Sequence, residues 1–101
     1  MAIVELSIVP IGIENTSLSS YVAQALRVLK TTSLDYQLTA MGTIITGDLD
    51  EIIKTVRQMH ESCFSSGARR VLTQIRIDDR RDKVGSPEQK IKSVLGKLEQ
   101  A

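Results

Sequence analysis

The chain has 101 residues, of which 42% are hydrophobic and 25% charged, a composition typical of a globular domain rather than a disordered chain. The 13 basic and 12 acidic residues leave a net charge of +1, which argues against binding to nucleic acid or to an anionic membrane through the overall charge. We therefore expect a single domain over residues 1–101.

The segment MAIVELSIVPIG at the N-terminus has no basic region and no small-residue cleavage site, so it does not resemble a secretion signal. No apolar run approaches the roughly 18 residues that a membrane span requires. Cys63 is the only cysteine, and its position on an apolar helix stripe is typical of a buried free thiol in a reducing compartment. We expect a cytoplasmic protein that does not contact a membrane.

The first two elements are predicted to be a strand and a helix. Residues 2–9 alternate between a wholly apolar parity and a mixed parity, which predicts a strand with one apolar face. Pro10 cannot donate a hydrogen bond to a sheet, so the strand should end near it. A loop follows in which Thr16 or Ser17 can cap the next helix. This helix is predicted from apolar residues at helical spacing, namely Leu18, Val22, Ala25, Leu26 and Leu29.

A hairpin and a second helix come next. YQLT (residues 36–39) and GTIIT (42–46) are predicted strands, separated by two residues. Asp48 and Glu51 form a capping-box pattern that opens a helix, and Gly67 suits the left-handed position that ends it. The apolar stripe of this helix is predicted to contain Leu49, Ile52, Ile53, Val56, His60, Cys63 and Phe64.

The C-terminal part is predicted to contain a last strand and a third helix. RRVLTQIRID (residues 69–78) alternates in the manner of a strand. Ser86 is a predicted cap and Pro87 a predicted first helical residue. The helix that follows carries one apolar stripe of Ile91, Val94, Leu95 and Leu98.

The element order β-α-β-β-α-β-α predicts a ferredoxin-like sandwich, an α+β fold in which two helices cover one face of a four-stranded antiparallel sheet, with an extra C-terminal helix. The opposite sheet face is half apolar and has no helix to cover it. Because single domains rarely expose large apolar patches, we expect this face to pair with another copy of the chain in a homo-oligomer.

The stretch AMGTIITG, residues 40–47, raises the first candidate site. Gly42 permits a close backbone approach or a positive φ, and alternation directs the Thr43 and Thr46 hydroxyls to opposite faces of the strand. A bulged hairpin corner explains these residues structurally. Alternatively, these residues form a ligand site, in which the glycine leaves room for a planar molecule and the threonine hydroxyls bind it.

Glu5 and Ser7 form the second candidate, because they share one face of the first strand. A carboxylate on a covered face requires a partner. That partner is either Arg76 on the last strand, as a cross-strand or intersubunit ion pair, or a cationic ligand.

Two rival classes of function stay open beside ligand binding. His60 is the only histidine and has no second ligand at metal-binding spacing, so we predict no metal and no cofactor and place His60 at a helix edge. An enzyme built as a dimeric α+β barrel would use His60 or Glu5 as its acid-base residue, although neither has a discernible orienting partner. A regulatory module would sense a small anion through Arg76, Arg80 or Arg81.

Binding of RNA is excluded by the aromatic content, although RNA-recognition domains share this element order. Such domains stack bases on aromatic residues of the central strands. Of the three aromatic residues here, Tyr21 and Phe64 are predicted on helices and Tyr36 opens an outer strand. We expect no nucleic-acid partner.

Three segments, ELSIVPIG with TSLSSYV, YQLTAMGTIITGDLDEI, and HESCFSSGARRVLTQIRIDDRRD, resemble the family of small thiamine-binding proteins of about 100 residues. The resemblance runs over nearly the whole chain. It implies a ferredoxin-like subunit, sheet-to-sheet dimers that assemble into tetramers, and a non-enzymatic pocket for thiamine or its hydroxymethylpyrimidine moiety. Such a ligand matches the hydroxyls of Ser7, Thr43 and Thr46 for the pyrimidine and the carboxylate of Glu5 for the cationic thiazolium.

Overall fold

The structure of the protein, a computed structural model, describes residues 1–13, 18–82 and 87–99. The predicted caps at Thr16 or Ser17 and at Ser86 lie outside the described residues. The elements, in chain order, are β1 (Ala2–Pro10), α1 (Ser19–Lys30), β2 (Asp35–Thr39), β3 (Gly42–Gly47), α2 (Leu49–Ser65), β4 (Val71–Asp79) and α3 (Pro87–Glu99).

The four strands form one sheet in the order β2-β3-β1-β4, and every neighbouring pair is antiparallel. This is the predicted ferredoxin-like sandwich with an additional C-terminal helix. The core forms where α1 and α2 pack on one face of the sheet. It contains Val4, Leu6, Ala25, Leu29, Ile45, Ile52, Val56 and Met59.

The strand register assigns every side chain to one of two faces. Val4 pairs with Ile45 and with Ile77, so these three residues point toward the helices. Glu5, one position later, pairs with Ile44 and with Arg76 on the opposite face. We call this second face the open face, because neither α1 nor α2 covers it.

The β2-β3 turn shows why Met-Gly-Thr stands where hairpins often have Asn-Gly. The Thr39 hydroxyl donates to the Gly42 carbonyl at 2.9 Å and accepts from the Met41 amide at 3.2 Å. Among the described residues, no residue other than glycine has a positive φ. The side chain of Thr39 therefore stabilises the turn without the left-handed residues of the commonest two-residue hairpins.

Helix α2 begins as predicted, since the Asp48 carboxylate accepts a hydrogen bond from the Glu51 amide at 3.2 Å. Its predicted apolar stripe is partly wrong. Ile53 and Phe64 are 42% and 39% exposed, whereas Met59 is buried with Ile52, Val56 and Cys63. Ile52, Val56, Met59 and Cys63 follow one another at spacings of four, three and four residues, as one buried side of a helix does. This side is shifted from the predicted stripe toward Met59 and away from Ile53 and Phe64.

Helix α3 has its predicted apolar stripe, but the stripe is exposed. No residue of its described span is buried, and Ile91, Val94, Leu95 and Leu98 are between 52% and 68% exposed. Close to the start of α3, Lys90 forms an ion pair with Asp78 at the edge of the open face. The helix thus starts at the sheet and leaves its apolar side unpacked within this chain.

Candidate functional site

A cavity of about 240 Å³ lies between α1, the second half of β1 and the β2-β3 turn. We call it the Thr43 cavity. Its apolar lining includes Leu6, Val22, Ala25, Met59 and Cys63, and its polar lining consists of Ser7, Tyr21, Thr39 and Thr43. Among the described residues that line it, none carries a formal charge at neutral pH.

Thr43 supplies the main polar group of this cavity. The residue is only 6% exposed and points to the helix-covered face, because it pairs with Leu6. The described residues offer its hydroxyl no hydrogen bond, although every fully enclosed side-chain nitrogen or oxygen among them has a partner. The hydroxyl therefore faces the cavity, where a bound molecule or water can satisfy it.

Gly42 lines the Thr43 cavity at a position where only glycine avoids a clash with β1. Its φ is +154°, and an added Cβ would lie 2.6 Å from the Leu6 carbonyl oxygen. Any side chain at this position would collide with the backbone of β1. The close approach of two strands therefore accounts for this glycine, and the same approach shapes the cavity wall.

Cys63 lines the cavity as a neutral thiol. Burial raises the pKa of Cys63, and this effect exceeds the opposing effect of its hydrogen bond with Ser62. Because the thiolate is the reactive form, the thiol at this position is a weak nucleophile at neutral pH.

The raised pKa of Cys63 predicts a pH-dependent stability. The folded chain retains the thiol proton at pH values where the unfolded chain, with an ordinary value near ~8.5, has released it. The stabilisation is present below about pH 8.5 and is lost as the pH rises through the raised value. In urea unfolding from about pH 7 to pH 10, wild type should lose stability more steeply than Cys63→Ala. Parallel curves would contradict this, because lysine and tyrosine titrate in both chains.

Five of the six predicted site residues lie at two places in the structure, and the sixth, Thr46, lies at neither. Ser7, Gly42 and Thr43 line the Thr43 cavity. Glu5 and Arg76 lie on the open face and line a second groove, of about 390 Å³, which the start of α3 also borders. Thr46 lines neither and pairs with Ile3. We call this second site the α3 groove, lined by Ile3, Glu5, Ile44, Arg76, Ile77, Asp78, Pro87, Lys90 and Ile91.

Glu5 and Arg76 form the predicted cross-strand ion pair within this chain, at 3.6 Å. Their side chains are 53% and 84% exposed, so solvent screens the pair and its contribution to stability is below about 1 kcal/mol. Whether either residue also contacts a ligand stays a prediction.

The residues that an enzyme or an anion sensor would use, His60, Arg80 and Arg81, form contacts with other residues of this chain. His60 Nδ1 lies 2.6 Å from the Thr73 hydroxyl, and its ring meets Phe64 edge to face at 5.3 Å. These contacts hold the imidazole against β4, outside the lining of the Thr43 cavity. Arg80 pairs with Asp82, and Arg81 pairs with Asp79.

Sequence reasoning missed Tyr21, Met59 and Cys63 as cavity residues. Tyr21 and Val22 lie four and three residues before Ala25 on α1, so helical spacing could have placed Tyr21 beside the apolar stripe. Met59 follows Ile52 by seven residues, which is also a helical repeat. Their approach to the β2-β3 turn depends on tertiary packing, which the sequence pattern does not give.

Residues 1–13, 18–82 and 87–99 contain no helix that is long and apolar enough to span a membrane. The same ranges contain no cluster of three or more histidine, cysteine, aspartate or glutamate side chains suited to a metal ion.

The fold and the cavity define a class of protein, namely small ferredoxin-like subunits with an uncharged internal pocket. The sequence matches the thiamine-binding protein family over residues 4–95. The chain therefore belongs to the thiamine-binding protein family.

Relatives with similar lengths support this assignment. A UPF0045 protein of Bacillus subtilis is 45% identical over 98 residues, which cover 93% of this chain and 94% of the relative. A UPF0045 protein of Methanothermobacter thermautotrophicus is 41% identical, with 97% of this chain and 100% of the relative covered.

Solved structures show the same fold. The crystal structure of a hypothetical protein from Methanocaldococcus jannaschii superposes with a TM-score of 0.84 at 38% identity, and the alignment covers 92% of this chain and 94% of that chain. A Thermotoga maritima protein, named as a candidate thiamine biosynthesis/salvage protein, gives a TM-score of 0.78 at 20% identity over 92% of this chain and 97% of that chain. At that identity the second likeness supports the fold alone.

Proposed function

We propose that this protein binds thiamine or its hydroxymethylpyrimidine moiety in the Thr43 cavity, without catalysing a reaction. The observation that supports this proposal most strongly concerns Thr43. Its residue is buried beside an uncharged cavity, and its hydroxyl has no hydrogen-bond partner among the described residues. Ligand pockets combine apolar walls with a few convergent polar groups in this way. Membership of the thiamine-binding family names the ligand class.

The chemistry of the cavity suits an aminopyrimidine ring. Such a ring is flat and carries both hydrogen-bond donors and acceptors, which hydroxyl groups can match because they donate and accept. Thr43 offers one hydroxyl at the buried wall, and Tyr21 offers a phenol and an aromatic ring. The apolar side chains of Leu6 and Met59 can cover the faces of the ring.

The size and charge of the cavity favour entry of the pyrimidine end first. At about 240 Å³ it is smaller than the ~300–1,000 Å³ typical of sites for drug-sized ligands, so one ring rather than two fits inside. A cationic thiazolium would lose its hydration among Leu6, Met59 and Cys63 without a carboxylate to compensate. The thiazolium of thiamine would then remain toward the mouth, near the exposed Met41.

A binding role agrees better with these residues than an acid-base role does. Cys63 is held as a neutral thiol, and His60 is engaged with Thr73 away from the cavity. Acid-base catalysis requires a titratable group within hydrogen-bond reach of the reacting atom.

Titration calorimetry with hydroxymethylpyrimidine, thiamine and thiamine diphosphate tests the proposed function. We expect saturable heat with hydroxymethylpyrimidine and with thiamine, and no conversion of either compound after long incubation. Glu5→Gln should leave the affinity unchanged, because Glu5 lies on the open face. Absence of heat with all three compounds would refute the proposal, and turnover that His60→Gln abolishes would favour the enzyme.

Replacement of Tyr21 provides a prediction about the cavity wall. Tyr21→Leu retains an apolar side chain but removes the aromatic face, and aromatic stacking contributes about 0.5–1.5 kcal/mol beyond buried area. We expect the calorimetric affinity for hydroxymethylpyrimidine to fall severalfold, with little change in melting temperature. Tyr36→Leu is the matched control, because Tyr36 lies on the edge strand and does not line the cavity. Equal effects of the two substitutions would contradict a role for Tyr21.

We propose further that the protein is a cytoplasmic homo-oligomer in which open faces pair and dimers assemble into tetramers. The open face supports this proposal, because it presents Leu72 at 50% exposure beside the partly exposed Ile3, Val9 and Ile44. An apolar face of this kind favours association. Sedimentation of the full chain tests it, and a stable monomer would refute it.

A further inference from the structure

Strand β1 extends beyond the end of its neighbour β3. The pairing of these two strands ends where Leu6 lies opposite Thr43, whereas β1 continues beside β4 as far as Pro10. Beyond Leu6, one edge of β1 therefore has no neighbouring strand, and such an edge presents unpaired backbone groups. Ile8 lies in this part of β1 and lines the Thr43 cavity.

The backbone groups of Ile8 point toward the side on which β3 is missing. The N–H and C=O of one residue in an antiparallel strand point to the same neighbouring strand, and the direction alternates along the chain. Directly after β1, the Ile11 amide donates to the Arg70 carbonyl at 2.8 Å, so odd-numbered residues face β4. The Leu6 carbonyl oxygen lies against Gly42 of β3, so even-numbered residues, including Ile8, face the opposite side.

The β2-β3 turn does not supply the missing partner. If the pairing of β1 with β3 continued by two residues, Met41 would lie opposite Ile8. The Met41 amide instead donates to the Thr39 hydroxyl at 3.2 Å, and among the described residues the turn forms no backbone hydrogen bond with Ile8. Pro10 agrees with this assignment, because its nitrogen points to the same side, where no hydrogen bond to a strand is required.

Ile8 therefore presents one donor and one acceptor side by side at the wall of the cavity. Buried backbone groups are nearly always paired, and peptides that add a strand to a sheet bind through groups of this kind. An aminopyrimidine carries the complementary pair on one edge, since its amino group donates and the ring nitrogen next to it accepts. A ring in this position would occupy the place of the absent strand residue.

We propose that the aminopyrimidine ring pairs with the backbone of Ile8. The Ile8 N–H donates to the ring nitrogen next to the amino group, and the amino group donates to the Ile8 carbonyl. The second ring nitrogen is then free to accept from the Thr43 hydroxyl. The backbone of β1 thus selects rings in which an amino group is adjacent to a ring nitrogen. This inference rests on the proposed function and names the groups that select its ligand.

Amide hydrogen exchange of the full chain, followed by NMR, tests the pairing in the wild-type protein. In the free protein the Ile8 amide should exchange at least about tenfold faster than the Val9 amide, because Val9 faces β4 opposite Leu72. Hydroxymethylpyrimidine at saturation should slow the exchange of Ile8 at least about tenfold. An Ile8 amide that is as protected as Val9 before the ligand is added, or that the ligand does not slow, would overturn the inference.

Ile8→Pro removes the N–H without removing a hydrogen bond to β4. Ile8→Val is the matched control, because it retains the N–H and a branched side chain that can pack on the core, as Ile8 does. In calorimetry we expect Ile8→Pro to bind hydroxymethylpyrimidine about five- to tenfold more weakly than Ile8→Val, through loss of one hydrogen bond. An analogue with CH in place of the nitrogen next to the amino group should bind the two variants equally.

The outcomes separate the inference from the proposed function. Absence of binding to the wild-type chain would overturn both. Binding that Ile8→Pro and Ile8→Val weaken equally would overturn the pairing with Ile8 and leave a ligand held by side chains such as Thr43 and Tyr21. If circular dichroism shows Ile8→Pro to be unfolded, the exchange of the wild-type Ile8 amide decides the question alone.

Discussion

Gly42→Ala is expected to destabilise the fold by about 3 kcal/mol, since backbone strain and overpacking each contribute about 1–3 kcal/mol. The added Cβ would meet the Leu6 carbonyl oxygen at 2.6 Å, and a φ of +154° is unfavourable for alanine. The nearest atoms all belong to the backbone of β1, so no flexible side chain can move away to make room. In a domain of this size the melting temperature should fall by roughly 15 °C, as measured by calorimetry.

Gly96→Ala is the matched control for Gly42→Ala. An added Cβ at Gly96 would meet nothing within 4 Å, and alanine favours helix over glycine by about 0.5–1 kcal/mol. The melting temperature should not fall, and the helical signal should rise slightly. A Gly42→Ala chain as stable as Gly96→Ala would show that β3 does not approach β1 as closely as the structure indicates.

Thr43→Val is expected to lower the affinity with little change in stability. In the free protein the Thr43 hydroxyl faces the cavity, where water can satisfy it, so its removal should change the unfolding free energy by less than about 1 kcal/mol. In the complex, the valine removes a hydrogen bond to the ligand worth about 1 kcal/mol, which corresponds to a five- to tenfold weaker affinity. Urea unfolding and titration calorimetry with hydroxymethylpyrimidine measure the two effects.

Thr73→Val provides the contrast to Thr43→Val. The Thr73 hydroxyl has a partner in His60 at 2.6 Å, and Thr73 does not line the cavity. We expect Thr73→Val to lower the unfolding free energy by about 1 kcal/mol and to leave the affinity unchanged. If both threonine variants changed stability in the same direction and neither changed the affinity, Thr43 would be an ordinary core residue.

The fold was predictable because its signals are local. Alternation over residues 2–9, the cap at Asp48 and the order of elements were sufficient for the ferredoxin-like sandwich, and the structure confirms them. The α2 stripe was harder to place. Ile53 and Phe64 are apolar in sequence but exposed in the structure, because packing against α1 and the sheet selects one of two adjacent rows on this helix.

The candidate site was predictable only in part, because it depends on which face of the sheet each residue occupies and on contacts distant in sequence. The sequence pointed to Thr43 as a site residue because it directly follows Gly42. Its burial follows from its register opposite Leu6, which the sequence does not state. Tyr21 and Cys63 join Thr43 from two different helices. Glu5 pairs with Arg76 on the open face, so its carboxylate lies on the opposite side of the sheet from the Thr43 hydroxyl.

The extent of the domain and the oligomeric state stay predictions. A family match over residues 4–95 covers most of the chain, but it does not test whether residues 1–101 fold as one unit. The exposed stripe of α3 and the open face are the two features that a second copy would explain together.

A crystal structure of the protein with hydroxymethylpyrimidine bound tests the central claim most directly. We predict electron density for the ring in the Thr43 cavity, with a ring nitrogen or the amino group within hydrogen-bond distance of the Thr43 hydroxyl. Density for the ring beside Glu5 and Arg76 in the α3 groove, with the Thr43 cavity empty, would contradict the account.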